Sequence, residues 1–145
     1  QTTLSVDDCQ IVIDALKERF PHIAGPPKAD ICYATSNRQA AVRAIAPQAD
    51  LILVVGDSES ANSTRLAEIA GDYDKPSFLI SNSSLIQEQW FANTETVLVT
   101  SGASVPENLV EEVVQYLKDY APGSEVEEAL LVEENVHFRL PANIS

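Results

Sequence analysis

Along most of this chain, short apolar runs alternate with stretches in which apolar residues recur every three or four positions. Val6, Cys9, Ile13 and Leu16 follow the second pattern after a helix start at Ser5 and Asp8, until Pro21 breaks it. Residues 22–30, with Gly25-Pro26-Pro27, read as a linker. Ile31 to Tyr33 is a predicted first strand. Ser36 and Gln39, at capping-box spacing, open a predicted helix to Ala46, with Pro47 just beyond. Leu51 to Val55 is an unbroken Leu, Ile and Val run, which predicts a strand buried on both faces. A polar loop from Gly56 to Ser63 and a helix from Thr64 to Ala70, stopped by Gly71, come next. Ser77–Ile80 is a third strand, Leu85–Phe91 a short helix in which Trp90 and Phe91 pack, and Thr96–Thr100 a fourth strand. Ser104, with Glu107 three residues on, is expected to cap a long helix ending at Tyr120. Beyond Pro122-Gly123 lies an acidic loop, then Val136, Phe138 and Leu140 alternate as a last strand, assigned to another domain's sheet.

Strand–helix alternation with short connections predicts an α/β fold: a parallel four-stranded sheet flanked by helices, plus a C-terminal return helix and strand. The expected divisions are residues 1–29 as the end of a preceding lobe, 30–104 as the α/β lobe, and 105–145 as the C-terminal helix and return segment.

Charge narrows the function. Nine Lys and Arg stand against 22 Asp and Glu, a formal charge of −13 over 145 residues. No basic stripe is available to neutralise nucleic-acid phosphates, so no nucleic-acid partner is expected. The longest apolar run is far below the roughly 20 residues of a membrane span, so no membrane partner is expected either. The acidic excess at Glu125 to Glu134 reads as a solvated loop. Two cysteines and no signal peptide point to a reducing cytoplasm. The chain has no Met and opens on Gln1-Thr2-Thr3, from which we expect a longer polypeptide with part of its chemistry upstream.

In a parallel α/β sheet, ligands bind beyond the carboxyl ends of the strands. The predicted segments there are Thr35-Ser36-Asn37, residues 57–63 (Asp-Ser-Glu-Ser-Ala-Asn-Ser), Ser81-Asn82-Ser83-Ser84 and Ser101-Gly102-Ala103-Ser104. Hydroxyls and amides collect on this rim, and several of these loops lead into helix N-termini, where N–H groups and the helix dipole favour anions. The same residues also serve as N-caps and turn formers, so both readings stand. An anion held there would be a phosphate or diphosphate gripped by neutral donors. No Walker-type glycine loop is present. Cys32, at the predicted end of the first strand, is either a small buried hydrophobe or, beside an anion site, a nucleophile or a metal or iron–sulfur ligand. Cys9 is expected in the core. His22 and His137 have no partners at ligand spacing.

The blocks Gln1-Thr2-Thr3-Leu4-Ser5, Asp30-Ile31-Cys32-Tyr33-Ala34-Thr35-Ser36-Asn37-Arg38-Gln39, Ser60-Ala61-Asn62-Ser63-Thr64-Arg65-Leu66 and Ser101-Gly102-Ala103-Ser104-Val105-Pro106 occur in that order. They resemble the C-terminal half of the 4-hydroxy-3-methylbut-2-enyl diphosphate reductases, the LytB/IspH family. The resemblance runs through to Glu134-Asn135-Val136-His137-Phe138. It implies one lobe of a three-lobed α/β enzyme built around a 4Fe–4S cluster held by three cysteines. It further implies reductive loss of the substrate hydroxyl to give isopentenyl and dimethylallyl diphosphates, the last step of non-mevalonate isoprenoid synthesis. By this resemblance Cys32 matches a cluster ligand and Thr2 a residue of the proton-delivery network. Ser60, Ala61, Asn62 and Ser104 match the diphosphate-binding positions, with Ala61 where the family commonly has Ser.

The implied partners are an allylic diphosphate, ferredoxin or flavodoxin as electron donor, and an upstream half of the same polypeptide. That half would carry the other cluster cysteines, the diphosphate-binding histidines and the catalytic Glu. The implied setting is a cytoplasm, bacterial rather than plastid. The chain alone is expected to be inactive and unable to assemble the cluster. A stand-alone α/β module for a small phosphorylated metabolite, using the same rim without iron, is the alternative; a pure interaction domain has nothing in the loops to recommend it.

Overall fold

A computed structural model describes residues 6–25 and 33–129. Thr2, Ile31, Cys32, His137 and the expected strand at Val136–Leu140 lie outside the described residues. Among the described residues the elements run α1 (Val6–Arg19), α2 (Tyr33–Ile45), β1 (Leu51–Val55), α3 (Ala61–Gly71), β2 (Ser77–Ile80), β3 (Val97–Ser101) and α4 (Glu107–Tyr120). Short 3-10 turns at Ala46–Gln48, Ser83–Leu85 and Glu88–Phe91 complete them.

The sheet is parallel with order β2-β1-β3, so β1 is central. All five β1 residues are fully buried, as expected of a strand covered on both faces. Successive side chains of a strand point to opposite faces. Ile52 and Val54 accordingly pack with Val42 and Ala46 of α2 and Leu66, Ile69 and Ala70 of α3. Leu51, Leu53 and Val55 pack on the other side with Ile80, Ile86 and Val113 of α4. The α4 helix, which starts beyond residue 104, therefore packs on this face together with Ile86, Trp90 and Phe91. Trp90 stacks on Phe78 with ring centroids 3.8 Å apart, and Phe91 lies 4.7 Å from Tyr120, so both aromatics pack as expected. Residues 121–129 are exposed and carry no helix or strand.

The structure corrects several expectations. The sheet has three strands among the described residues, not four, because Tyr33 belongs to α2. The Ser36 hydroxyl donates to the Tyr33 carbonyl at 3.0 Å, so Ser36 lies inside the first turn rather than capping it. The helix predicted at Leu85–Phe91 resolves into two 3-10 turns. Ser104 does not cap α4: Pro106 occupies the N-cap position, without a side-chain cap, and Glu107 is the first helical residue. Proline disfavours the α conformation in the residue before it, so Val105 cannot join the helix and Ser104 stays in the preceding turn. Cys9 is not core either. It is only half-buried, on a helix with no buried residue.

Helix α1 is attached to the rest by polar contacts at its first turns. Asp7 pairs with Arg43 at 2.5 Å, Asp8 pairs with Arg65, and the Val6 N–H donates to Gln39 Oε1 at 3.2 Å. Its apolar side chains face out, with Ile11 67% and Val12 56% exposed.

A second polar latch joins β1 to β3. Asp50 Oδ2 accepts the N–H groups of Thr96 at 2.9 Å and Glu95 at 3.0 Å. These bonds, Thr96 first, hold the carboxyl below its ordinary value of 3.8. A group whose pKa is lower folded than unfolded gives stability above the unfolded value and loses it as pH falls through the folded one. We therefore expect wild-type stability to fall below pH 3.8 by more than that of Asp50→Asn. Urea midpoints of the two proteins between neutral pH and acid would check this; parallel curves would exclude the latch.

Candidate functional site

Parallel strands put all three carboxyl ends on one edge of the sheet. The loops after β1, β2 and β3 therefore share that edge, with the β1 loop between the other two. Gly56 N–H donates to the Ile80 carbonyl at 2.8 Å and Gly102 N–H to the Val55 carbonyl at 3.0 Å, so each outer strand end is tied to the central one.

The loop after β1 is a compact turn leading into α3. Asp57 Oδ1 accepts the Glu59 N–H at 2.8 Å, and the Asp57 carbonyl accepts the Ser60 N–H at 3.0 Å. Ser60 is the N-cap of α3 and accepts the Ser63 N–H on its hydroxyl at 3.4 Å. The hydroxyl proton of Ser60 is still available to donate. The predicted polar loop thus ends three residues early, and Ala61, Asn62 and Ser63 form the first turn of α3. First-turn N–H groups point beyond the end of a helix and, with its dipole, favour an anion there.

The loop after β2 is spent on its own geometry. Asn82 caps a 3-10 turn, accepting from the N–H of Ser84 at 3.0 Å and from its hydroxyl at 2.5 Å. The turn-former reading suffices for that loop. After β3, Val105 N–H donates to the Gly102 carbonyl at 3.1 Å, closing a turn that leaves Ser104 exposed. No Lys or Arg occurs in residues 56–64, 81–84 or 101–106, so the donors on this edge are neutral.

Two shallow clefts flank the start of α3. One, of about 240 Å³, lies between the β1 and β2 loops and is lined by Gly56, Asp57, Ser58, Leu79, Ser81 and Leu85. The other, of about 370 Å³, lies between α1 and α3. Its only cation, Arg65, is paired with Glu68 at 2.6 Å and with Asp8. The Glu68 hydrogen bond first, then the neighbouring carboxylate charges, raise the Arg65 pKa above its usual value. With Asp8, Glu59 and Glu68 on its walls, this larger cleft repels an anion despite its size. Of the expected diphosphate residues, Ala61 alone lines a cleft; Ser60, Asn62 and Ser104 lie on the strand-end edge outside both.

The sequence places Ser63 on the polar rim with the other hydroxyls of residues 57–63, but the structure buries it, a packing role the sequence reading missed. Ser63 is 1% exposed and sits between Gly56 and Gly102. A Cβ on Gly56 would lie 2.6 Å from Ser63 Cβ, and a Cβ on Gly102 would collide with Ser63 Oγ. The available signal was a glycine directly after β1 and another directly after β3, since glycine there permits close approach of a helix to a strand end.

Among the described residues, no three His, Cys, Asp or Glu side chains are grouped to hold a metal ion, and no helix is long and apolar enough to cross a membrane. The whole sequence has two cysteines, Cys9 and Cys32, so this chain does not supply the three thiolates of the implied cluster.

Comparison with known proteins gives a consistent result. The chain is 54% identical over 144 residues to the 4-hydroxy-3-methylbut-2-enyl diphosphate reductase of Cronobacter sakazakii, and 51% identical over 145 residues to that of Sodalis glossinidius. Each alignment takes in 99% of this chain and 45% of the relative, so the chain spans less than half their length. Among solved structures, the E-1-hydroxy-2-methyl-but-2-enyl-4-diphosphate reductase of Plasmodium falciparum matches with a TM-score of 0.75 and 39% identity, over 81% of this chain and 37% of that one. A second, the (E)-4-hydroxy-3-methyl-but-2-enyl diphosphate reductase described as the terminal enzyme of the non-mevalonate pathway, matches with a TM-score of 0.61 and 28% identity, over 82% of this chain and 42% of that one. The family model described as LytB protein matches residues 1–118, which takes in every described element from α1 through most of α4, and on that match the chain belongs to the LytB family.

Proposed function

We propose that this chain is the diphosphate-holding half of a 4-hydroxy-3-methylbut-2-enyl diphosphate reductase. The observation that carries this reading is the convergence of the α3 N-terminus and the Ser104 turn on one edge of a parallel sheet, in a member of the LytB family. Ser60, Asn62 and Ser104 donate to the diphosphate through hydroxyl and amide groups. At Ala61 the backbone N–H serves where a side-chain hydroxyl is missing. These contacts fix the tail of the substrate and so orient its reacting end, an advantage of placement rather than of chemistry.

Neutral donors alone meet only part of a diphosphate's charge. The positive groups and the catalytic acid come from an upstream half of the polypeptide. That half covers the outward apolar face of α1, whose exposed Ile and Val side chains would otherwise stay in water. Cys32 supplies one thiolate to a 4Fe–4S cluster whose remaining ligands are also upstream, and Thr2 belongs to the proton-delivery network. When bound, the cluster supplies electrons and an open iron for the leaving hydroxyl. Ferredoxin or flavodoxin is the electron donor, and the setting is a bacterial cytoplasm.

In the full-length polypeptide, Asn62→Ala and Ser104→Ala are each expected to weaken inorganic diphosphate binding about tenfold, the loss of one hydrogen bond to a charged group. Calorimetric titration measures it directly. Unchanged affinity in both variants would remove these residues from the site.

A further inference from the structure

The residue between the two donor loops has no part in the contacts proposed above, yet two glycines close on it with no room for a side chain of their own. Ser63 is buried at the N-terminus of α3, with one glycine from the end of β1 and one from the end of β3 on either side. Neither glycine has positive φ, so backbone conformation does not demand glycine at either place. Space demands it. The two conflicts also differ. A Gly56 Cβ would strike the Ser63 Cβ at 2.6 Å, whereas a Gly102 Cβ would strike only Oγ, with Ser63 Cβ at an ordinary 3.5 Å and Val105 Cγ2 at 3.4 Å.

We infer that Ser63 is a positioning residue whose side chain sets the distance between the α3 turn and the Ser104 turn, and so selects a diphosphate over a single phosphate. The inference rests on the reading of Ser60, Asn62 and Ser104 as diphosphate donors. Asn62 is the residue before Ser63, and Ser104 lies two residues after Gly102. Whatever separates Gly102 from α3 therefore separates the two donor groups. A single phosphate can be held by the α3 turn alone, while a diphosphate must reach both.

The different conflicts give a test by exchange of space. Gly102→Ala adds a methyl where Ser63 Oγ stands, and Ser63→Ala removes that oxygen, so the double variant restores the filled volume. The full-length polypeptide would be titrated with inorganic diphosphate and, separately, with orthophosphate, following backbone amide shifts in the wild type, Ser63→Ala, Gly102→Ala, the Gly102→Ala/Ser63→Ala pair and Gly56→Ala/Ser63→Ala. The spectra also report whether each variant is folded.

We expect wild-type shifts at Ser60, Asn62 and Ser104, with diphosphate preferred. In Gly102→Ala the preference should fall about tenfold, with orthophosphate affinity changed less than about twofold, and the Gly102→Ala/Ser63→Ala pair should return to within about twofold of wild type. The Gly56→Ala/Ser63→Ala pair should not recover, because the Cβ conflict persists. Normal wild-type shifts with no recovery in the Gly102→Ala/Ser63→Ala pair would overturn the spacing role and leave the diphosphate reading standing. Equal weakening of both ligands in Gly102→Ala would do the same. No wild-type shifts with either ligand would overturn both.

Discussion

Cys32→Ser in the full-length polypeptide is expected to abolish turnover and to remove the visible absorption and bound iron of the cluster, while Cys9→Ser leaves all three unchanged. Thiolates are the soft ligands that iron–sulfur clusters require, and a serine hydroxyl stays protonated and hard at neutral pH. The contrast between the cysteines is the informative part. Cys9 is half-buried on α1, a helix without a single buried residue. Cys32 directly precedes the first residue of α2 and belongs to the Ile-Cys-Tyr-Ala-Thr block that carries the family resemblance. Iron content and absorption report ligation apart from catalysis. A Cys32→Ser protein with full iron and normal turnover would sink the assignment of this cysteine.

The second large effect concerns stability. Leu53→Ala, at the centre of β1, is expected to cost about 3–5 kcal/mol, at the upper end for a Leu truncated in a closed core. Leu53 is fully buried among Ile80, Ile86 and Val113, and β1 has a strand on each side, so neither sheet nor helix can move in freely to fill the gap. Single domains are stable by only about 5–15 kcal/mol, so the variant should lose a large share of its margin. A urea midpoint measurement against wild type tests this, and a loss below about 1 kcal/mol would mean that the α4 face is loosely packed. Glu111→Ala on α4 makes a control, since an exposed side chain has little burial to lose.

Much of this architecture is legible along the chain because local rules decide it. Five consecutive apolar residues at 51–55 allow no exposed face, and the strand they form is central. Strands followed by short polar loops and helices force parallel pairing, which alone places the loops after β1, β2 and β3 on one edge. The gathering of hydroxyl and amide residues on that edge could therefore be read along the chain. Where expectations failed, a competing local interaction won. Ser36 spends its hydroxyl on the Tyr33 carbonyl, so a capping-box spacing marks the inside of a helix rather than its start. Pro106 sets the start of α4 and keeps Ser104 out of it, an outcome the Ser104–Glu107 spacing conceals.

Helix α1 shows a different kind of failure. Its apolar spacing fits an amphipathic helix with Cys9 on the core side, yet the described fold holds it by Asp7, Asp8 and the Val6 N–H and leaves the apolar side chains in solvent. Periodicity shows that a helix has a face to bury. It does not show against what.

By itself the sequence determined the parallel α/β class, the central strand, the polar edge and the residues that carry the family resemblance, because periodicity, turn chemistry and residue type act over a few neighbouring positions. Only the tertiary structure decided that Ser63 lies between Gly56 and Gly102, that Arg65 is engaged by Asp8, and that α4 packs on the face of Leu51, Leu53 and Val55. Each of these includes at least one contact between residues about 40 or more positions apart, brought together by strand order and helix packing, and no local pattern along the chain encodes that distance.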